Sequence, residues 1–269
     1  MKNNKDILII DDEQVILDAV SKITAAEGWK VDTALNALDA LEKFNHTLYS
    51  LILCDIMMPD MDGFQLLDKI NEKKLIIPVI MITGYSTVEN AVNSLYKGAA
   101  DFISKPFTFE EITTAIYRGI EYGKILFKLD QIKKNGGKQG IVYVPCPASY
   151  KRLGNITWMD IEYQGTAVIG LTDFYLKTIK NIVKIELLEN DNVIVQGSSC
   201  LKLETEDGLV HNCLAALGGR IIERNEKLIN EPTLLEKDPY FEGWLYKIIP
   251  SDVEYEMKYL ISCSSDRIE

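Results

Sequence analysis

Ile7-Leu8-Ile9-Ile10-Asp11-Asp12, Leu51-Ile52-Leu53-Cys54-Asp55 and Val79-Ile80-Met81-Ile82-Thr83 share one pattern: four apolar residues closed by a carboxylate or a hydroxyl. Runs that are apolar on both faces suit parallel strands covered by helices on each side. Weaker runs stand at Lys30–Thr33 and Asp101–Ser104, the latter followed by Lys105-Pro106. Between the runs, Val15, Ala19, Val20 and Ile23 sit at helical spacing, as do Leu38, Leu41 and Phe44, and Val88, Ala91, Val92 and Leu95. Five strands alternating with five helices predict a doubly wound α/β domain with a five-stranded parallel sheet. In such sheets ligands bind at the carboxyl ends of the strands.

Those ends carry Asp11 and Asp12, Asp55, Thr83 and Lys105. Three carboxylates gathered at one rim repel each other unless a counter-ion is present. A hard divalent cation relieves that repulsion, and Mg²⁺ favours one or two carboxylates together with substrate phosphate. Lys105 adds a fixed positive charge. On this reading Asp55 is a nucleophile that forms an aspartyl phosphate, and Thr83 hydrogen-bonds the product's oxygens. Asp12 or Thr83 taken singly reads equally as a helix cap, and Lys-Pro as a turn. It is the complete set, each member at a strand end, that favours the chemical reading.

A helix is predicted to begin near Phe109 and to run past Tyr122; Lys124–Gln139, with five lysines and the breaker Gly136-Gly137, reads as a helix tail and linker. Beyond it, turn signals at Gln164-Gly165, Asn190-Asp191-Asn192, Gln196-Gly197, Asp207-Gly208 and Gly218-Gly219 separate short strands, as in a mostly β domain. The chain has 269 residues and a net charge of −11, and Gly140–Glu269 holds 13 Lys+Arg against 20 Asp+Glu. An acidic C-terminal half has the wrong sign for tracking phosphates, so no nucleic-acid partner is expected. The longest apolar run, Leu75–Ile82, is broken by Pro78 and falls far short of the ~20 residues of a membrane span. The stretch after Met1–Lys5 is apolar only over Ile7–Ile10, too short for a secretory signal. A cytoplasmic protein with no membrane partner is therefore expected. Its five cysteines, odd in number and without a CxxC pair, should be thiols.

Residues 5–124 resemble a bacterial response regulator receiver domain. The matches are Asp11-Asp12-Glu13, Asp55-Ile56-Met57-Met58-Pro59-Asp60-Met61-Asp62-Gly63, Thr83-Gly84 and Gly98–Phe107. The resemblance implies a flavodoxin-like fold over residues 1–124 and a sensor histidine kinase as phosphodonor. It implies Mg²⁺ on Asp12, Asp55 and the backbone carbonyl of Met57, with Asp11 acting through water. It makes Thr83 and Phe102 the switch pair. It further implies a homodimer through Val88–Lys97, the fifth strand and the Phe109 helix.

After the connector, 125–145, residues 146–269 resemble the glycine cleavage system H protein, which carries lipoate on a barrel-sandwich fold. The matches include Pro147-Ala148, Trp158, Gly165–Asp173, Asp191-Asn192-Val193, Asn225–Leu228, Glu231-Pro232, Asp238-Pro239-Tyr240 and Glu242–Leu245. The family's lipoyl lysine sits in a hairpin turn, where this chain reads Glu204-Thr205-Glu206-Asp207-Gly208. Asp207 or Gly208 stands in the lysine's place, and no cofactor arm is expected. A two-residue Asp207-Gly208 turn would pair Lys202 with Cys213 and Glu204 with His211. Cys200, His211 and Cys213 then read either as a metal set or as buried thiols beside a surface histidine.

The leading expectation is a response regulator, not an enzyme, that signals to a downstream protein through a non-lipoylated H-like module. The alternative is a phosphorylation-regulated carrier, or a partner of the glycine cleavage and lipoate machinery. A DNA-binding factor lacks its basic recognition helix. An output enzyme lacks a nucleophile-base-acid set.

Overall fold

The computed structural model describes residues 3–85, 87–135 and 142–266. The chain forms two compact units: Met1–Thr87 with Lys97–Gln139, and Val88–Tyr96 with Gly140–Glu269. In chain order the N-terminal elements are β1 (Asn3–Ile10), α1 (Gln14–Ala26), β2 (Val31–Ala34), α2 (Ala37–His46), β3 (Thr47–Asp55), α3 (Gly63–Glu72), β4 (Val79–Thr83), α4 (Val88–Tyr96), β5 (Asp101–Ser104) and α5 (Phe109–Lys134).

The first unit is an all-parallel sheet in the order β2-β1-β3-β4-β5. Period-two alternation divides each apolar run between two cores. Ile7, Ile9, Leu51, Leu53, Ile80 and Ile82 join Leu17 and Val20 of α1 and Ile112 and Ile116 of α5. Leu8, Ile10, Ile52, Cys54 and Met81 join Phe44 of α2 and Leu66, Leu67 and Ile70 of α3. The five parallel strands expected from the runs in the sequence therefore form.

Caps fix the helices that frame the strand ends. Asp62 and Gln65 form a reciprocal capping box at the start of α3, and Thr108 and Glu111 form another at the start of α5. α5 is 26 residues long. It continues to Lys134, with Lys133 and Lys134 in its last turn, where cations favour the helix dipole. The expected domain boundary at residue 124 thus falls inside a helix. Gly136-Gly137 lies outside the described residues.

In the second unit the strands are β6 (Lys151–Leu153), β7 (Thr157–Ile161), β8 (Ala167–Leu171), β9 (Ile182–Leu187), β10 (Val193–Ile194), β11 (Ser199–Thr205), β12 (Val210–Leu214), β13 (Gly219–Arg224), β14 (Trp244–Pro250) and β15 (Ile261–Ser262). They form a seven-stranded sheet, β10-β13-β14-β8-β7-β6-β15, and a three-stranded sheet, β12-β11-β9. Each neighbouring pair in these two sheets is antiparallel. Leu201, Leu203 and Cys213 of the small sheet share one core with Ile169, Leu171, Ile221 and Ile248 of the large one. Trp158 is fully buried and its indole N–H donates to the carbonyl of Pro239 at 3.1 Å. Among the described residues no helix is long and apolar enough to cross a membrane.

The β11–β12 hairpin corrects one sequence expectation. Thr205 N–H donates to the Leu209 carbonyl at 3.0 Å, and Gly208 N–H donates to the Thr205 carbonyl at 2.8 Å. The loop is therefore three residues, Glu206-Asp207-Gly208, with Gly208 at φ +78° in the left-handed region. Cα partners become Lys202 with Asn212, Leu203 with His211 and Glu204 with Val210. One extra loop residue shifts every pairing by one. His211 is consequently buried, at 4% exposure, rather than on the surface.

Candidate functional site

Parallel register brings the polar strand ends together. Ile10 lies opposite Cys54, Asp55 opposite Ile82, and Thr83 opposite Ser104. Asp11 therefore follows β1 directly, Asp55 ends β3, Thr83 ends β4 and Lys105 follows β5, all at one rim. Carboxylate oxygens of Asp11, Asp12 and Asp55 lie within 4.8 Å of one another, and they are the set of three potential metal ligands among the described residues. Asp11 and Asp55 are buried, whereas Asp12 is exposed.

Lys105 binds this group together. Its Nζ lies 2.7 Å from Asp11 Oδ2, 3.5 Å from Asp55 Oδ1 and 3.7 Å from Glu13 Oε1. Burial pushes the lysine's pKa down, but its hydrogen bond to Asp11 and the nearby negative charges outweigh that and hold it raised. Asp11 Oδ1 also accepts the Glu13 N–H at 3.0 Å. Burial pushes the Asp55 carboxyl up to about 6; Lys105 pulls it down and Asp11 pushes it up again. A rim with this much negative charge and one cation between two buried carboxylates matches the preference of a hard, oxygen-seeking divalent ion.

Thr83 is fully buried, and its hydroxyl accepts the Tyr85 N–H at 3.1 Å. Phe102, opposite Met81 in β5, is half-buried against the α2–α3 core. Met57 is about half exposed at the mouth of the rim, at 51%. Two contributors had no assigned role in the sequence reading. Glu13 stands close to Lys105, and Gly63 packs against the backbone of Asp55. Gly63 N–H donates to the Ile56 carbonyl at 2.9 Å, and a β-carbon on Gly63 would overlap the Asp55 carbonyl oxygen. The signal for Gly63 was its place directly after the Asp62 cap, where the helix start approaches the preceding strand end.

The hairpin tip of the second unit offers no comparable chemistry. Thr205 Oγ1 donates to Asp207 Oδ1 at 2.6 Å, and the Asn181 side-chain amide donates to Glu206 at 2.9 Å. Asp207 and Gly208 carry no amine. Lys202 lies three residues back along β11, about 10 Å, with its Nζ 3.8 Å from Glu186. Cys200 and Cys213 are buried core thiols, Cys213 Sγ being 3.3 Å from the Tyr175 hydroxyl. Burial pushes the Cys200 thiol up. These two thiols and His211 do not converge as a ligand set, because Cys200 falls at a register irregularity and His211 Nε2 lies 3.5 Å from Thr205 Oγ1.

Comparison with known proteins follows the same division. The transcriptional regulatory protein ZraR of Klebsiella oxytoca is 34% identical over 120 residues, which cover 45% of this chain and 27% of that protein. The transcriptional regulatory protein DltR of Streptococcus agalactiae is 37% identical over 110 residues, covering 41% of this chain and 49% of that protein. The chain thus spans about a quarter to a half of the length of these relatives. A solved glycine cleavage system H protein from Mycobacterium marinum is 26% identical, covering 44% of this chain and 94% of that chain, with a TM-score of 0.40. Residues 7–117 match the response regulator receiver domain and residues 150–266 match the glycine cleavage H-protein, so the chain joins a receiver domain to an H-protein-like domain.

Proposed function

We propose that the chain is a two-component response regulator that accepts a phosphoryl group on Asp55 and signals through an H-like module without lipoate. The observation that carries this reading is the rim itself: three carboxylates within 4.8 Å, with Lys105 between Asp11 and Asp55. Asp11, Asp12, Asp55 and the Met57 carbonyl hold Mg²⁺ in this reading, and the ion supplies neutralisation of the charge that develops on the transferred group.

The chain's own residues perform the remainder. An ionised oxygen of Asp55 attacks the donor's phosphorus. The new P–O bond forms as the bond to the donor breaks, and that electron pair leaves with the donor. Lys105 holds positive charge beside Asp55 throughout. The Thr83 hydroxyl gives up its bond from Tyr85 N–H and turns to the phosphoryl oxygens. Phe102, only half-buried beside Met81, has room to follow.

A sensor histidine kinase is the proposed donor, and an unidentified protein the downstream partner. Both named relatives are transcriptional regulators, but their likeness covers less than half of this chain. The acidic Gly140–Glu269 half opposes a nucleic-acid role here. The carrier alternative requires an amine at the hairpin tip, where Asp207 and Gly208 stand. We place the protein in the cytoplasm and assign it no turnover chemistry beyond gaining and losing its own phosphoryl group. A second copy of the chain as partner rests on the receiver resemblance, and light scattering with and without beryllofluoride tests it. Acetyl phosphate with Mg²⁺ should label the wild type and not Asp55→Asn. Labelling that survives the substitution, or that ignores EDTA, would overturn the assignment.

A further inference from the structure

The end of the connector is fastened to the second unit at one residue. Val144 N–H donates to Asp173 Oδ2 at 2.6 Å, and the Val144 carbonyl accepts the Tyr240 hydroxyl at 2.9 Å. Asp173 N–H donates to that same hydroxyl at 3.0 Å, which closes a ring of three bonds. Asp173 and Tyr240 are 1% and 4% exposed, whereas the Val144 they hold is 51% exposed. Burial pushes the pKa of the Tyr240 hydroxyl up, so it stays protonated and keeps donating. The side chains around Val144 make the apolar contacts. The Tyr143 ring meets Phe174 edge-on at 5.1 Å, and Cys146 is buried in one cluster with Trp158 and Tyr240.

Residues 142–147 belong to neither sheet of the unit. Val144-Pro145 and Cys146-Pro147 are X-Pro steps, which keep the backbone extended. The module thus grips a short extended segment by its main chain and reads the side chains beside it, as peptide-recognition sites do. We propose that Asp173, Tyr240 and Phe174 form a peptide-binding slot, filled here by the chain's own residues 143–146, and that the downstream partner enters it with an extended segment of the same pattern: an aromatic residue, any residue, proline and a small residue. This rests on the reading of the H-like module as a binding module. An empty slot leaves a buried carboxylate oxygen without its donor, which is costly. Exchange of one segment for another keeps the bonds. The chain's own segment is tethered, so a free peptide competes poorly with it until that segment is weakened.

The test uses full-length protein and a fluorescent peptide, Val-Tyr-Val-Pro-Cys-Pro, the sequence of residues 142–147. Val144→Pro removes the N–H that Asp173 accepts, at an exposed position. Tyr143→Ala weakens the segment through a separate contact, the ring on Phe174. Each variant should bind the peptide roughly 10-fold more tightly than the wild type, because the tethered competitor has been loosened. Adding Tyr240→Phe to either variant should reverse the gain. A peptide with proline in place of its second valine should not bind. Equal peptide affinity in the wild type and both variants would overturn the slot, as would equal affinity for the proline-substituted peptide. Intact mass of the same protein tests the reading beneath: a lipoyl adduct would overturn the binding-module reading, whereas an unmodified chain whose weakened segment admits no peptide would overturn the slot alone.

Discussion

The strand-end rim of the receiver and the hairpin tip of the H-like module are both places where a fold presents a reactive side chain. The rim keeps its full set, Asp11, Asp12, Asp55, Thr83 and Lys105, and holds two of its carboxylates buried at an energetic cost. The tip keeps only its shape: a three-residue loop with Gly208 left-handed and Thr205 bonded to Asp207, but no amine. Buried carboxylates cost stability when ionised, and groups of this kind cluster at functional sites, which is what the proposed function requires of the rim. A hairpin tip without an amine fits the proposed reading of the H-like module as a binding surface.

Three substitutions can break or sharpen this contrast. The largest effect belongs to Lys105→Ala. Removing the cation that lies 2.7 Å from Asp11 and 3.5 Å from Asp55 should slow labelling by acetyl phosphate on the order of 100-fold, the scale of losing one electrostatic group from a preorganised site. Lys202→Ala, at the H-like hairpin, should leave labelling unchanged. If Lys105→Ala labels at the wild-type rate, the rim is not organised as described.

Gly63→Ala comes next. The new methyl group meets the Asp55 carbonyl oxygen, and overpacking against backbone costs about 1–3 kcal/mol. Thermal unfolding should show the loss in the receiver transition. Gly208→Ala at the hairpin tip, with nothing within 4 Å, should cost less, about 1 kcal/mol, from its positive φ alone.

An effect of similar size, but dependent on pH, comes last. The folded Asp55 carboxyl titrates at about 6, above its ordinary 3.8, chiefly because it is buried. A raised acid is destabilising once ionised: the cost is absent below 3.8, grows through about 6, and is complete above it. Asp55→Asn in EDTA should therefore stabilise the receiver at pH 8 by about 2 kcal/mol, the size of a shift of about two pKa units less relaxation. The gain should vanish near pH 3.5. Asp207→Asn at the tip should show no such profile. Wild type and Asp55→Asn melting together at pH 8 would show that the carboxylate is not under strain.

Much of this was legible from the sequence, for local reasons. Each four-residue apolar run ending in Asp or Thr defines a strand and its reactive end at once. Parallel pairing then places Asp11, Asp55, Thr83 and Lys105 together without further information. The hairpin failed at loop length, since Asp-Gly closes two-residue and three-residue loops alike, and only the Thr205–Leu209 pairing decides between them. That single residue turned His211 inward. The end of α5 was blurred because its last turns carry charge rather than an apolar stripe. The membership of α4 in the second core was invisible for a different reason. Val92 and Leu95 look like any apolar helix face, and their partners Gly154 and Gly197 lie some 60 to 100 residues away in the sequence, beyond the reach of periodicity.

The contrast between a working rim and a retired tip is tested most directly by one mass measurement on full-length protein co-expressed with a lipoate ligase and then treated with acetyl phosphate and Mg²⁺. The account predicts one phosphoryl group, mapped to Asp55, and no lipoyl group anywhere on the chain. A lipoyl adduct on any lysine of the H-like module, or a chain that stays unphosphorylated, would contradict it.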